Sequence, residues 1–167
     1  MSRAFVKENE DGPSGDALPD LPISPHPNYV TPSGLAQLEA RRAALQAERH
    51  KLDAADGDLV QASHIARLDQ EIRYLDVRIA SATPIDLKAT DRSQVAVGAH
   101  VTVRDAGGQT HLYRIVGEDE ADAENLISWV SPLAKAMMGA RAGDHVVWQR
   151  PRGDLELDIV KLAYPEA

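Results

Sequence analysis

The feature that most constrains this chain is a run of apolar residues spaced alternately three and four positions apart. The run consists of Ile65, Leu68, Ile72, Leu75, Ile79 and Ala82. This spacing places all of these side chains on one stripe of an α-helix, which is the pattern of a coiled-coil face. Because a helix with one apolar stripe must bury it against a partner, the sequence predicts a second helix packed on this one.

A second helical pattern lies upstream, where leucines recur every seven residues at Leu38, Leu45 and Leu52. Thr31 followed by Pro32 is typical of a helix start, since a hydroxyl caps free amides and proline fits the first turn. Arg42 and Arg49 occupy the alternate seam positions. We expect them to pair with acids across the seam or to extend into solvent.

The two patterns are separated only by a polar break at residues 56–58, and Thr83 with Pro84 ends the second one. Because the break is short, the simplest partner of each helix is the other helix. The sequence therefore predicts an antiparallel coiled-coil hairpin over residues 31–82. Pairing between two chains is an alternative that the periodicity leaves open, although we expect a monomer.

Residues 1–30 contain no apolar periodicity and are rich in proline, at Pro13, Pro19, Pro22, Pro25 and Pro27. Proline removes backbone donors and fixes φ, so neither a helix nor a central strand is expected. We predict a flexible, solvated arm. Only residues 23–30 are apolar enough to dock on a neighbouring surface.

After a linker at residues 83–90, the pattern changes from helical to extended over residues 91–167. Predicted strands lie at 95–97, 100–104, 111–116, 126–130, 146–149 and 155–162, and one short helix lies at 133–138. The fold class is α+β: a helical hairpin followed by a small antiparallel β domain with one short helix.

Composition excludes several kinds of function. The chain has no Cys and a formal net charge of −8, which excludes thiolate chemistry and makes the chain a poor match for a free nucleic-acid backbone. No apolar run approaches the ~20 residues of a membrane span, and the N-terminus has no apolar signal core. We expect a cytoplasmic protein without a membrane partner, and the scattered His residues show no metal-ligand spacing.

The C-terminal half carries a family signature. It consists of Tyr113-Arg114-Ile115-Val116-Gly117, the acidic run 118–122, Leu126-Ile127-Ser128, and the segment from Ser131-Pro132-Leu133 to Gly139. In this order the chain resembles the bacterial Gre transcript-cleavage factors, GreA and GreB. The resemblance covers residues 29–164, because that family also places an antiparallel coiled coil before this domain.

The resemblance implies a function and a fold. Gre factors bind bacterial RNA polymerase, and their FKBP-like C-terminal domain docks at the rim of the secondary channel while the coiled coil reaches down it. Acidic residues at the coiled-coil tip help to hold Mg²⁺ and a water, and the polymerase then cuts backtracked RNA. The factor itself is not an enzyme and has no intrinsic cofactor. It meets nascent RNA or DNA only within the elongation complex.

The hairpin tip departs from the family pattern, which typically reads Gly-Asp-Leu, one residue, Glu, Asn. Asp58 matches the first acid, whereas Gln61 and Ala62 stand where Glu and Asn are expected. Gln keeps an oxygen but loses the charge that attracts a divalent cation, although Asp56 is near enough to substitute. An alternative is a capping box, in which Asp58 caps the second helix and Gln61 completes the motif.

The hairpin also looks short. Between Gly34 and Ile85 the chain has about two heptads fewer than the usual Gre hairpin, one from each helix. Losing whole heptads keeps the seam in register and shortens the hairpin by roughly 10 Å. A carboxylate displaced that far cannot ligate a metal at ~2.1 Å. We therefore predict polymerase binding with weak or absent stimulation of RNA cleavage.

Two segments are candidates for docking to polymerase. One is the acidic loop, represented by Asp119, Glu120 and Asp122, and the other is Ser131, Pro132 and Leu133. The alternative for the acidic loop is a solvated surface without a partner. Trp129 and Trp148 fall in strand patterns and are predicted to fill the core, whereas exposure of Trp129 would favour docking.

Basic residues are spread along the hairpin at Arg41, Arg42, Arg49, Lys51, Arg67, Arg73 and Arg78. Interleaved acids favour a solvated, ion-paired surface over a strip that contacts RNA. Three functions remain open: a cleavage factor, a non-catalytic regulator that occupies the channel, and a coiled-coil module that does not use polymerase. The incomplete tip and the complete C-terminal signature together favour the regulator.

Overall fold

A helical hairpin forms the first half of the fold. The computed structural model describes residues 17–53 and 59–165. After the short strand β1 (Tyr29–Val30), helix α1 spans Pro32–Asp53 and helix α2 spans Leu59–Ser81, followed by β2 (Thr83–Pro84). Helices of 22 and 23 residues are each about 33 Å long. No described helix is long and apolar enough to cross a membrane.

The seam of the hairpin matches the predicted coiled-coil stripe. Leu38, Leu68 and Leu75 are buried between the helices. Arg42 pairs with Asp76 at 3.3 Å, and Arg49 pairs with Asp69 at 2.6 Å. Both ion pairs join α1 to α2, which confirms the predicted pairing of these arginines with acids across the seam.

The β domain is a five-stranded sheet with one short helix. Its elements are β3 (His100–Asp105), β4 (Thr110–Val116), β5 (Leu126–Ser128), α3 (Pro132–Met137), β6 (His145–Trp148) and β7 (Leu155–Ala163). The strand order is β5-β4-β3-β7-β6. Both predicted hairpins, β3-β4 and β6-β7, are antiparallel as expected.

Two details of the predicted sheet were wrong. Strand β5 pairs parallel with β4, so the sheet is mixed rather than antiparallel. The chain crosses over between these strands through a short 3₁₀ turn at Glu118–Glu120 instead of a hairpin. Residues 95–97 form no strand, because Val95 exchanges backbone hydrogen bonds with Gly139 and Ala140 of the loop after α3.

An aliphatic core lies between the sheet and α3. Its fully buried members include Val101, Val103, Ile115, Met137 and Ile159. Successive side chains of β7 point to opposite faces of the sheet, which explains how this strand packs on the core. Leu157 and Ile159 face the core, whereas Val160 on the other face is 45% exposed.

The described part of the N-terminal arm differs from the prediction of an unfolded segment through residue 30. Tyr29 and Val30 pair in parallel with Thr83 and Pro84, so the entry to the hairpin is joined to its exit. Residues 17–28 lie against α2 and the β domain, through contacts described below. Side chains of α2 donate hydrogen bonds to the carbonyl oxygens of Leu18 and Pro19. Apolar periodicity does not reveal such side-chain contacts to the backbone.

Replacing Ile159 by Ala is expected to destabilise the protein by about 2–5 kcal/mol, because the side chain is fully buried and its removal leaves a cavity. Val160→Ala, one residue away on the exposed face, should change the free energy of unfolding by about 0.5 kcal/mol or less. Urea unfolding followed by Trp fluorescence measures both. Equal effects of the two substitutions would contradict the assigned register of β7.

Candidate functional site

The acidic turn, Glu118–Glu120, joins the β domain to the hairpin, and its last carboxylate binds the start of α1. Glu120 is 7% exposed. It accepts hydrogen bonds from the Thr31 amide at 3.1 Å and the Gly117 amide at 3.0 Å, and also from the Thr31 hydroxyl. A Cβ on Gly34 would lie 1.9 Å from the Glu120 carboxyl carbon, so α1 approaches this turn too closely for any larger residue.

The second carboxylate of the acidic turn binds α2. Asp119 accepts hydrogen bonds from the Tyr74 hydroxyl at 2.5 Å and from Nε of Arg78 at 2.6 Å. Arg78 is only 1% exposed. Its Nη2 also donates to Oδ1 of Asn28 at 2.8 Å, so one guanidinium connects α2, the acidic turn and the N-terminal arm.

The first carboxylate of the acidic turn binds the arm. The Ser24 hydroxyl donates to Oε1 of Glu118 at 2.9 Å, and Oε2 lies 3.6 Å from Nη2 of Arg78. Asn28 is buried beside these groups and donates to the Arg78 carbonyl oxygen at 2.7 Å. The three consecutive acids therefore hold three different elements: the arm, α2 and α1.

The prediction that Arg78 belongs to a solvated basic strip was wrong. Its guanidinium is buried because three carboxylate and amide side chains surround it at the end of α2. Arg41 and Arg42 do form the exposed or half-exposed ion pairs expected of that strip, with Glu71 and Asp76. Apolar spacing does not distinguish Arg78 from these residues, and only the folded position of the acidic turn does.

Some of the predicted docking residues are engaged in contacts within the molecule, and others lie on its surface. Asp119 and Glu120 are engaged within the molecule, whereas Asp122 is exposed. Ser131 caps α3 by accepting a hydrogen bond from the Ala134 amide at 3.2 Å. Pro132 is exposed in the first turn of α3, and Leu133 is buried behind it. Their role in docking stays a prediction.

A groove of about 890 Å³ opens beside Ser131, Pro132 and Leu133 on the surface of the β domain. Its other lining residues are His111, Leu112, Tyr113, Glu124, Asn125, Ile127, Trp148, Gln149, Arg150, Pro151 and Arg152. The Arg150 guanidinium lies 5.2 Å from the centre of the Trp148 ring, a distance within the range of cation–π attraction. The lining combines apolar side chains with two arginines, Arg150 and Arg152, and one carboxylate, Glu124.

The two tryptophans combine packing with partial exposure. Both pack against the core from its edge, as the core-filling prediction required. Trp129 also contacts the arm, with ring centres 5.1 Å from Tyr29 and 6.1 Å from His26 in edge-to-face geometry. Trp148 faces the groove. Sequence reasoning found both residues but not the arm that covers Trp129.

At the hairpin tip, the predicted ligands Asp56 and Asp58 lie outside the described residues. Gln61 is described, and its amide nitrogen donates to the Leu52 carbonyl oxygen at 3.0 Å. This bond ties α2 back to the end of α1. Residues 59–62 contain no carboxylate, and Leu59 and Val60 are 86% and 75% exposed. No group of three metal-ligating side chains occurs within 17–53 and 59–165.

The fold and the site define a class of protein: an antiparallel helical hairpin fixed by an acidic turn to a mixed β domain with a surface groove. Residues 89–164 match the family model for the C-terminal part of the transcription elongation factors GreA and GreB. The chain is 36% identical to transcription elongation factor GreB of Neisseria meningitidis serogroup A, with 82% of this chain and 94% of the relative covered. This chain belongs to the GreA/GreB family of transcription elongation factors.

A second relative agrees with this assignment. The chain is 32% identical to transcription elongation factor GreA of Maridesulfovibrio salexigens, over 81% of this chain and 94% of the relative. A GreA/GreB structure from Nitrosomonas europaea is 20% identical and has a TM-score of 0.41, with 82% of this chain and 99% of that chain covered.

Arg78→Ala is expected to lower the free energy of unfolding by about 3–5 kcal/mol, because it leaves Asp119 and Glu118, which are 11% and 21% exposed, without their cation. Arg41→Ala removes an ion pair whose arginine is 63% exposed and should cost about 0–1 kcal/mol. Chemical denaturation of the two variants provides the comparison. A similarly small loss of unfolding free energy in both variants would show that the buried junction contributes little to stability.

The acidic turn also affects Tyr74. Burial, together with the hydrogen bond to Asp119, raises the pKa of Tyr74 from 10.0 to about 12. The neutral phenol is favoured in the folded state, so its contribution to stability is complete below pH 10 and is lost as the pH rises towards 12.

Absorbance titration of tyrosinate should therefore show one phenol that ionises near pH 12, absent in Tyr74→Phe. Asp119→Asn should lower the pKa of that phenol towards its ordinary value, because the negative charge beside it is removed. Simultaneous ionisation of all four tyrosines near the ordinary value would contradict the geometry.

Proposed function

We propose that this chain is an elongation factor that binds bacterial RNA polymerase at the secondary channel and stimulates transcript cleavage weakly or not at all. In this proposal the factor is not an enzyme, and any Mg²⁺ is shared with the polymerase. The observation that carries the proposal is the tip, where Gln61 ties α2 to α1 through Leu52 and residues 59–62 supply no carboxylate.

Docking is assigned to the groove beside α3. Ser131 and Pro132 present the start of α3 at its edge, and Leu133 forms part of its floor. Arg150 and Arg152 line the same groove, so the proposed partner surface is an apolar polymerase segment flanked by acids. Asp122 is exposed, whereas Asp119 and Glu120 support docking indirectly by fixing the hairpin to the domain.

The hairpin then regulates elongation by occupying the channel. The arrangement of α1 and α2 suits such a role, because ion pairs across the seam and the buried leucines keep the hairpin together without a partner. Occupancy alone does not require tip carboxylates.

The cleavage side of this proposal is tested with a backtracked elongation complex of the cognate polymerase and Mg²⁺. We expect the full-length protein to leave RNA 3′-end cleavage unchanged or to slow it. Gln61→Glu restores the missing charge but not the reach, so it should remain inactive, whereas Gln61→Glu combined with one inserted heptad per helix should accelerate cleavage. Robust acceleration by the unaltered protein, abolished by Asp58→Ala, would overturn the proposal.

The docking side is tested separately by affinity for core polymerase. Pro132→Glu keeps a helix-compatible residue at the start of α3 but places a charge at the groove edge. It should weaken binding by about tenfold, or ~1.4 kcal/mol. Gln109→Glu adds the same charge at the exposed β3-β4 turn, outside the groove, and should bind normally. Equal affinity of the two variants would exclude the groove edge as the docking site.

A further inference from the structure

The N-terminal arm follows α2 over nearly its whole length. Ala17 and Leu18 share a cleft with Leu59 and Ala62 at the first turn of α2. At the other end, the side-chain amide of Asn28 donates to Oγ of Ser81, the last residue of the helix, at 3.2 Å. The arm therefore connects the tip end of the hairpin with the junction to the β domain.

Polar side chains of α2 fasten the first part of the arm. Arg73 donates to the Leu18 carbonyl oxygen at 2.8 Å and to Oδ1 of Asp20 at 2.7 Å. Gln70 donates to the Pro19 carbonyl oxygen at 2.5 Å. These side chains bind the backbone of an extended, proline-rich segment. Because the carbonyls of such a segment have no hydrogen-bond partners in a helix or sheet, side-chain donors can satisfy them.

The second part of the arm is fastened to the β domain. Ser24 donates to Glu118 of the acidic turn. His26 and Tyr29 pack edge-to-face on Trp129, which lies two residues before Ser131. The arm thus contacts both bodies of the molecule, and its prolines restrict the conformations it can adopt between these contacts.

From this path we propose that residues 17–26 are a strap that fixes the angle between the hairpin and the β domain. A motion that tilts α2 against the β domain must break either the contacts of Arg73 and Gln70 or those of Ser24 and Trp129. Without the strap, the two bodies are held by the acidic turn, Arg78 and the short β1-β2 pairing. The strap then presents the hairpin in one direction before any partner binds, which lowers the ordering cost of association.

This proposal concerns the free protein and goes beyond the proposed function, so it is tested without polymerase. The chain has no native Cys. Spin labels on Gln46→Cys of α1 and Gln109→Cys of the β3-β4 turn, both exposed positions, therefore report the distance between the two bodies by double electron–electron resonance. We expect a single narrow distribution in the full chain.

Three variants separate the strap from the rest of the junction. Deletion of residues 1–24 removes the fastened part but leaves Asn28 and Tyr29, and it should broaden the distribution roughly twofold, as expected for domains released to move. Ser24→Glu places a second carboxylate against Glu118 and should broaden it as well. Ser24→Thr keeps the hydroxyl and should leave the distribution narrow.

Circular dichroism and urea unfolding confirm that each labelled variant is folded before the distances are compared. An unchanged distribution after deletion of residues 1–24 would overturn the proposal, since the acidic turn alone would then fix the angle. Broadening in Ser24→Thr equal to that in Ser24→Glu would also contradict the assigned hydroxyl contact. Polymerase affinity plays no part in these readouts, so the docking proposal stands or falls independently.

Discussion

The buried guanidinium of Arg78 is the interaction on which the arrangement of this protein depends. It lies between Asp119, Glu118 and Asn28, and so brings α2, the acidic turn and the arm to one point. Glu120 in the same turn holds the start of α1. A buried charge is stable only when its partners remain in place, which makes the junction a specific geometry rather than a loose connection between two domains.

This geometry sets the direction in which the hairpin extends from the β domain. The acidic turn lies between the hairpin and α3 in the chain, and its side chains bind α2 and Thr31 at the start of α1. If the groove seats the β domain on polymerase, the junction determines where the hairpin points, and the arm along α2 supports it. Within the described residues of the tip, Gln61 makes a contact between the two helices through the Leu52 carbonyl oxygen.

The sequence predicts the elements well and their junction poorly. The alternating spacing from Ile65 to Ala82 predicts α2, and turn residues locate both β hairpins, because these signals are local. The parallel pairing of β5, the docking of the arm and the burial of Arg78 depend on contacts between residues distant in sequence. Arg78 has the same spacing as exposed arginines, and the acids at 118–120 look like a solvated loop until the fold places them against α1 and α2. The groove residues Ser131, Pro132 and Leu133 were found from their signature, whereas Arg150 and Trp148 join them only through β6.

Competition with an active cleavage factor tests the proposed occupancy of the channel without chemistry. A backtracked elongation complex is supplied with a cleavage-competent GreB at a fixed concentration, and this protein is titrated in. We expect RNA cleavage to fall to the rate of polymerase alone as this protein saturates, and we expect the Pro132→Glu variant to need a higher concentration for the same effect. Cleavage that stays constant would mean that the two proteins do not share a site, and cleavage that rises would mean that this tip is active.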